Sequence, residues 1–264
     1  MAKRTKVIIL SVALGVTLLL GWRLRAESPS LTAVLVASIM YFGLYWVLEF
    51  EVVGFRLVYV FILPVLFNFM FVQRILSSEI RIFGGVEGGE LIIAVLFGIL
   101  NYILILTANI LNVASIRKIP LLQVAQTSSY FFSVFLSFLT FDMIQDMELS
   151  PIMDILIIGV VFYLIIHQLL WFVIENRRSL FHSTIVIDLL IVLIYLVMSF
   201  WPIPYFLLNI FLSGVMYVLC GYIMHSAKRS LTRNTELEYV FIMIVLLFLV
   251  IFTSDWGSFG GLFF

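Results

Sequence analysis

Polar side chains interrupt two long apolar runs near the middle of the chain. The first run carries Asn101, Asn109 and Asn112, and the second carries amides and hydroxyls three or four residues apart. At about 100° per residue, Asn101 and Asn112 lie only about 20° apart on a helix, with Asn109 about 60° from Asn112. Each run therefore predicts a helix with one polar stripe. The second stripe comprises Gln123, Gln126, Thr127, Tyr130, Ser133 and Ser137.

Amides and hydroxyls in an apolar helix can do two kinds of chemistry. They can hydrogen-bond to a neighbouring helix, or they can line a path for a polar substrate or a lipid headgroup. Only Arg117 and Lys118 separate the two runs, so we expect antiparallel neighbours whose polar stripes face each other. Asn112 is then expected near Gln123, and Asn101 near Ser133. The candidates for a substrate path are Asn101, Asn109, Asn112, Gln123 and Gln126.

Two ionisable residues inside apolar runs extend this set of candidates. His167 lies well inside the sixth run, where it could be a neutral ring bonded to a neighbouring helix or part of a proton relay. Asp188 is placed one turn from the start of the seventh run, where the helix dipole and Arg177 or Arg178 could stabilise it. Both residues join the substrate-path candidates, and the structural interpretation of each stays open.

No enzyme motif accompanies these residues. The chain has no HExxH sequence, and the acidic segment at 142–154, DMIQDMELSPIMD, lacks the DDxxD spacing that holds magnesium on a diphosphate. The single cysteine, Cys220, excludes an internal disulfide and a cysteine-rich metal site. We therefore predict no catalytic residue, no metal and no cofactor, and the sequence favours a function that is not enzymatic.

The composition identifies the elements that must position these residues. Hydrophobic residues make up 64% of the chain, charged residues 11%, and the mean hydropathy is +1.21. A soluble domain of this length could not hide so much apolar surface, so the solvent must be lipid. We predict an all-α polytopic transmembrane bundle whose partner is the lipid bilayer. Membrane-protein partners stay open, and no nucleic acid is expected.

Reading the chain between its charges predicts nine spans and no soluble domain, so that residues 1–264 form a single transmembrane domain. The uncharged stretch 189–227 is too long for one span, and the sequence WPIP at 201–204 divides it, because two prolines reject a continuous helix. The predicted spans lie near 7–22, 31–48, 57–73, 91–116, 119–141, 155–174, 184–201, 205–226 and 239–254.

The lysines and arginines of the short loops predict the orientation. With the N-terminus in the cytoplasm, eleven of them fall inside and four outside, and the acidic segment 142–154 lies outside. We therefore predict a cytoplasmic N-terminus and an external C-terminus. The basic start and the first apolar run also resemble a signal peptide, but Arg23 and Arg25 argue against cleavage. Cleavage would leave the orientation unchanged.

Five segments together resemble a known family. They are LTANILNVASIRKIPLLQVAQ (106–126), SFWP (199–202), LSGVMYVLCGYIMH (212–225), EYV (238–240) and FTSDW (252–256). They are similar to an uncharacterised family of multi-pass membrane proteins from uncultured bacterial lineages, over roughly residues 55–256. The resemblance implies a bacterial inner-membrane location and no catalytic residue.

Three classes of function fit these observations. The first is a small transporter or permease-like protein, or a membrane subunit of a larger complex. The second is a membrane scaffold or assembly protein whose polar stripes hold helices together. The third is a lipid-modifying enzyme that uses the acidic segment. A continuous polar cavity would favour transport, and tight packing of the stripes would favour a scaffold. An enzyme would be favoured by the convergence of Asp142, Asp146 and Asp154 with Arg74 or Arg81.

Overall fold

The computed structural model describes residues 3–23, 28–49, 54–77, 89–114, 121–147 and 149–254. These residues form nine α-helices and no strand, which confirms the all-α prediction. The helices are α1 (Lys3–Arg23), α2 (Pro29–Val47), α3 (Phe55–Ser77), α4 (Gly89–Ala114), α5 (Leu122–Asp146), α6 (Pro151–Trp171), α7 (Arg177–Met198), α8 (Tyr205–Ala227) and α9 (Arg233–Thr253).

All nine of these helices are long and apolar enough to cross a membrane. Their 19 to 26 residues correspond to about 28–39 Å at 1.5 Å per residue, against a hydrocarbon thickness of about 30 Å. The predicted break at WPIP is present, because α7 ends at Met198 and α8 begins at Tyr205. The helices are compatible with an integral membrane protein.

Several helix starts follow from local chemistry. Pro29 and Pro151 each occupy the first turn of their helix, where a missing N–H costs no hydrogen bond. The Asn176 side chain accepts from the Arg178 N–H at 3.0 Å, and Thr232 caps α9 by accepting from the Thr235 N–H. The cap at Asn176 starts α7 seven residues before the predicted position.

The helices form two compact units, residues 1–136 and 137–264, with the boundary inside α5. In unit 1, α1 packs on α4 and α2, and α3 packs on α2 and α4. Aromatic rings fill its core: Phe67 lies edge-on to Phe132 with ring centroids 5.4 Å apart, and Phe71 stacks on Phe97 at 4.9 Å. Edge-to-face and offset pairs of this kind add to the burial of the rings.

Small residues bring α1 and α4 close together. Ser11 and Gly15 of α1 face Ala94 and Gly98 of α4, each pair four residues apart. A Cβ atom on Gly15 would lie 2.9 Å from the Ala94 carbonyl oxygen, and one on Gly98 would lie 3.4 Å from the Ser11 carbonyl oxygen. This is the small-residue packing that lets helix backbones approach in a membrane.

Charged side chains join the start of α1 to the end of α2. Lys3 and Lys6 each place Nζ 3.1 Å from a Glu49 carboxylate oxygen, and Lys6 also lies 5.6 Å from the centre of the Trp46 ring. The hydrogen bonds from Lys6 and Lys3 hold the pKa of Glu49 below its ordinary value. The contacts of Glu49 with Lys3 and Lys6 therefore stabilise the fold at pH values above the ordinary pKa of the carboxyl group. This stabilisation is lost as the pH falls through the lowered pKa.

In unit 2, α6 packs on α7, α7 on α8 and α8 on α9. Hydrogen bonds mark which helix ends meet. Trp201, just after α7, donates to Ser254 at the end of α9, and the Tyr239 hydroxyl of α9 lies 3.0 Å from Nδ1 of His225 near the end of α8. Successive helices of this unit therefore run antiparallel, and unit 2 has two opposite ends.

Charge is divided between these two ends. Every lysine and arginine in the described part of unit 2 lies where α7 and α9 begin and α8 ends, which we call the basic end: Arg177, Arg178, Lys228, Arg229 and Arg233. The opposite end, called the acidic end, is where α5 ends and α6 begins. Its described carboxylates are Asp142, Asp146 and Asp154.

Candidate functional site

The amides of unit 1 join α4 to α3. Asn101 is 0% exposed, and its Oδ1 accepts a hydrogen bond from Asn68 Nδ2 at 2.7 Å. The two amides also donate within their own helices, Asn101 to the Phe97 carbonyl and Asn68 to the Pro64 carbonyl. A buried amide pair tied to both backbones holds two helices in register.

The predicted partner of Asn101 was therefore wrong. We expected the α5 stripe near Ser133, and the structure pairs Asn101 with α3 instead. Asn68 was missed because the other amide of its run, Gln73, lies five residues away and about 140° around the helix, so no polar stripe pointed to it. Burial is confirmed for Asn101 and for Asn112, which is 4% exposed, whereas Asn109 is half-buried.

The remaining candidates of unit 1 differ in exposure. On α5, Gln126 is buried and Gln123 is exposed. The short connection through Arg117 and Lys118, on which the pairing of the two stripes rested, lies outside the described residues. The role of these amides in a substrate path stays a prediction.

An apolar groove also lies in unit 1, between α1 and α4. It has a volume of about 380 Å³, and Ser11 and Tyr102 are the polar residues among those that line it. Its walls carry no ionisable acid or base other than the Tyr102 phenol, so it offers no catalytic constellation.

His167 bonds to the neighbouring helix of unit 2. Its Nδ1 lies 3.2 Å from Oγ1 of Thr184 in α7, and its ring stacks on Tyr163 with centroids 5.4 Å apart. The Thr184 hydroxyl donates to the Leu180 carbonyl at 2.8 Å, which leaves its oxygen as an acceptor toward the ring. We therefore assign the proton of the neutral ring to Nδ1. This agrees with the structural interpretation of His167 and does not test a relay.

Asp188 lies deeper than the sequence indicated. Because α7 begins at Arg177 and ends at Met198, Asp188 is in the middle of the helix rather than one turn from its start. Its Oδ1 is buried and has no hydrogen-bond partner among the described residues. Interfacial stabilisation by the start of the helix does not reach this depth, since the dipole acts within the first turn.

Polar groups follow the α6–α7 interface from one end of unit 2 to the other. On α7, Asp188 lies about 40° from Thr184 and about 20° from Tyr195 around the helix, so the three share a face. Thr184 contacts His167 of α6, and the Tyr195 hydroxyl donates to Asp154 Oδ2 of α6 at 3.3 Å. We call these five residues the polar track.

The polar track is short of hydrogen-bond donors. Asp154 Oδ1 and Asp188 Oδ1 are buried without a partner in the described part of the chain, and so is Oε1 of Gln168, beside His167, which is 1% exposed. A buried acceptor that loses water without gaining a donor costs about 1–3 kcal/mol, and more when it is charged. Such atoms are not confined to this helix pair, since Asn68 Oδ1 and the hydroxyls of Ser129 and Ser133 in unit 1 also lack a partner among the described residues.

A second polar group lies at the acidic end. Asn209 of α8 is 0% exposed and donates from Nδ2 to Asp142 Oδ1 of α5 at 3.2 Å, while its own Oδ1 has no partner among the described residues. Phe141, beside Asp142, stacks on Tyr195 at 6.0 Å between ring centroids, which joins this group to the polar track. The described residues contain no group of three or more His, Cys, Asp or Glu side chains that could hold a metal ion.

Sequence reasoning missed Tyr195 and Asn209. Tyr195 bonds a residue 41 positions away and Asn209 one 67 positions away, so no local spacing marks either of them. Their positions along the chain could have indicated them. Each lies near the end of a helix that an antiparallel bundle brings next to the acidic segment 142–154.

Comparison with known proteins places the chain in a family. No curated protein and no solved structure shows significant similarity to it. The model of a family described as a protein of unknown function (DUF5656) matches residues 56–253, which is more than half of the chain. The match covers nearly the same residues as the resemblance carried by the five sequence segments. The chain therefore belongs to the DUF5656 family of proteins of unknown function.

Proposed function

We propose that this protein is a multi-pass protein of a bacterial inner membrane, with residues 1–264 forming one transmembrane domain. The N-terminus is cytoplasmic and the C-terminus lies outside. Support comes from the division of charge in unit 2, where the described lysines and arginines all lie at the basic end. Basic loops stay in the cytoplasm, so the basic end faces inward and the acidic end outward.

This orientation predicts the labelling of two exposed serines in a Cys220→Ala background. A membrane-impermeant maleimide should label Ser77→Cys in intact cells and Ser230→Cys only after permeabilisation. Both positions are exposed, and Cys220 is buried, so the substitutions should leave the fold intact. The reverse labelling pattern would contradict the proposed orientation.

Within that membrane, we infer that the protein is a transporter or permease-like protein for a small polar solute. The observation that carries this inference is the polar track, with its buried acceptors that lack donors. A carboxylate at mid-membrane depth costs about 2.5–3.5 kcal/mol on insertion scales, so its retention favours a function. Asp188, His167 and Asp154 are spread along the interface of α6 and α7, as a path from one side to the other requires.

The other two classes of function have weaker support. A scaffold is supported by the Asn68–Asn101 pair, which joins α3 to α4 through a buried hydrogen bond, but this pair gives no role to the ionisable residues of α6 and α7. A lipid-modifying enzyme is supported by Asp142 and Asp154 at the acidic end, whereas Arg81, one of the two arginines expected to converge with them, lies outside the described residues. The polar track therefore favours transport.

Replacing Asp188 by asparagine tests the transport function. Purified protein in proteoliposomes is expected to take up at least one solute from a panel of radiolabelled amino acids, sugars and amines faster than empty vesicles do. Asp188→Asn keeps the size of the side chain and removes its charge, and it should reduce that uptake to the background rate.

The matched control removes a carboxylate away from the polar track. Glu175→Gln changes an exposed residue at the basic end and should leave uptake unchanged. Uptake at the background rate for every solute, from correctly folded wild-type protein, would contradict transport and favour the scaffold. Unchanged uptake by Asp188→Asn would remove the polar track from the mechanism.

A further inference from the structure

We propose that the apolar groove between α1 and α4 binds a single phospholipid, with one acyl chain in the groove and the headgroup at Arg23 and Glu90. The ligand class is a zwitterionic phospholipid, whose headgroup carries a phosphate and an ammonium group. The inference rests on the membrane location proposed above, and it does not depend on transport.

The groove exists because small residues let two helices approach each other. Gly15 of α1 and Gly98 of α4 both line it and have no side chain to fill it. Larger apolar side chains stand on either side, where Val12 of α1 is 58% exposed and Val95 of α4 is 53% exposed. The described residues that line the groove all belong to these two helices, so a channel between two apolar walls follows the helix pair.

The length of the groove is close to the depth of one leaflet of a bilayer. Its lining runs from Ile8 to Leu19 on α1 and from Leu91 to Tyr102 on α4, so each run advances by eleven residues. Eleven residues of helix rise about 16 Å, and half of a hydrocarbon core of about 30 Å is about 15 Å. The acyl chain of one lipid passes through the same depth.

The width of the groove distinguishes a lipid chain from a helix. A volume of about 380 Å³ over about 16 Å gives a mean cross-section of about 24 Å². A hydrocarbon chain whose carbon atoms lie about 4 Å from their neighbours occupies roughly 16–20 Å². A helix about 10 Å across needs about 80 Å². The groove therefore accommodates one acyl chain, whereas a helix of a second protein could insert only a row of side chains.

A pair of opposite charges lies at the end of the groove marked by Leu19 and Leu91. Arg23 follows Leu19 by four residues, which places it on the same face of α1, and Glu90 directly precedes Leu91. Arg23 Nε and Glu90 Oε2 are 3.8 Å apart, and the two side chains are 71% and 42% exposed. An exposed pair at this distance contributes little to stability, so both charges are accessible to a ligand.

These two charges determine the class of headgroup. A guanidinium group binds phosphate through paired N–H donors, and a carboxylate pairs with an ammonium group. A phosphoethanolamine headgroup carries both partners. A headgroup with a net negative charge would satisfy Arg23 but would be repelled by Glu90. We therefore expect phosphatidylethanolamine to bind more tightly than phosphatidylglycerol.

Photo-crosslinking in vesicles measures the occupancy of the groove. The full-length protein is reconstituted with phosphatidylethanolamine that carries a diazirine in one acyl chain, and peptide mass spectrometry locates the labelled residues. Labels should concentrate on the walls of the groove, including Val12 and Val95. Labelling of all exposed apolar residues in proportion to their exposure would overturn the site, because it is the result expected of lipids that contact the surface at random.

Filling the groove should displace the lipid. Val12→Trp and Val95→Trp each place a large ring where the chain lies. Each should lower labelling of the opposite wall by about tenfold, the effect of excluding two or more buried methylene groups. The matched control Val34→Trp changes a valine of α2 that is 55% exposed and should leave labelling unchanged. Val34 lies five residues after the start of α2 and Val95 six after the start of α4, so the two are at similar depth.

A second measurement examines the headgroup and does not require the tryptophan variants to fold. Native mass spectrometry of the delipidated protein, titrated with each phospholipid, gives the ratio of the two dissociation constants. Phosphatidylethanolamine should bind about tenfold more tightly than phosphatidylglycerol, as expected for one charged hydrogen bond. Glu90→Gln should abolish this preference, and Arg23→Gln should weaken the binding of both lipids. The control Arg178→Gln changes an exposed arginine at the basic end of unit 2 and should alter neither.

The outcomes separate the lipid site from the membrane location on which it rests. Release of the wild-type protein from membranes by an alkaline wash would contradict the membrane location and the site together. Retention in the membrane with labelling that Val12→Trp and Val95→Trp leave unchanged would overturn the site alone. A dimer that carries no lipid would also overturn it, in favour of a second copy in the groove. Localised labelling that these variants remove and Val34→Trp retains would support the site, whatever the result for solute uptake.

Discussion

Gly15→Leu is expected to prevent α1 from packing on α4 and to give the largest loss of stability of any single change in unit 1. Even a Cβ atom at this position would lie 2.9 Å from the Ala94 carbonyl oxygen, closer than such atoms approach in folded proteins. The obstacle is helix backbone, which cannot rotate away as a side chain can. Overpacking costs typically 1–3 kcal/mol, and we expect about 3 kcal/mol or more for leucine. Thermal unfolding in detergent and the monodisperse fraction in size-exclusion chromatography measure the loss.

The matched comparison is Gly15→Ala against Gly159→Ala. Both replace a glycine inside an apolar helix by the same residue, and both gain about the same helix propensity. At Gly159 the new methyl group would meet Val192 Cγ2 at 3.9 Å, an ordinary contact. Gly159→Ala should therefore be neutral or slightly stabilising, whereas Gly15→Ala should destabilise. Equal effects of the two changes would contradict the close approach of α1 and α4.

Asn68→Leu is expected to give the second large loss of stability, because it leaves the side-chain carbonyl oxygen of Asn101 without a hydrogen-bond donor. Asn101 Oδ1 is fully buried and receives its hydrogen bond from Asn68 Nδ2 at 2.7 Å. Leaving a buried acceptor without a donor costs about 1–3 kcal/mol. Asn101→Leu should cost less, since Asn68 keeps its bond to the Pro64 carbonyl. Chemical or thermal unfolding of each variant measures the two costs.

The double variant separates pairing from packing. If the amides interact, Asn68→Leu combined with Asn101→Leu should be less destabilising than the sum of the single changes. Measured couplings between membrane helices average about 0.6 kcal/mol and reach about 1.7 kcal/mol, and this buried pair should lie in that range. Asn109→Leu, at a half-buried position of the same helix, is the control and should change stability less. Strictly additive effects would mean that the two amides do not support each other.

Two buried amide groups, one in each unit, join helices through side-chain hydrogen bonds. In unit 1, Asn68 and Asn101 meet each other and their own helix backbones, as helix-joining groups do. In unit 2, Asn209 satisfies Asp142 and leaves its own carbonyl oxygen without a partner among the described residues. Each group therefore joins two helices through the amino side of an amide, and Asn68 Oδ1, like Asn209 Oδ1, has no partner among the described residues.

The sequence by itself determined the helices and their places along the chain. Hydrocarbon offers no water to the backbone, so each apolar run of about 20 residues must satisfy its own N–H and C=O groups as a helix. That requirement is local, and local composition was enough to predict nine helices and the break at WPIP. Helix ends were less accurate, because caps such as Asn176 extend a helix beyond its apolar run and moved Asp188 to the middle of α7.

Only the tertiary structure decided which polar groups meet. Asn101 shares a stripe with Asn112 on its own helix, yet its partner is Asn68 of α3, and Asn209 meets Asp142 across 67 residues of chain. The periodicity of a helix reports the direction of a side chain and not the identity of the helix it faces. That identity depends on close approaches, such as that of Gly15 to Ala94, which arise from the packing of whole helices.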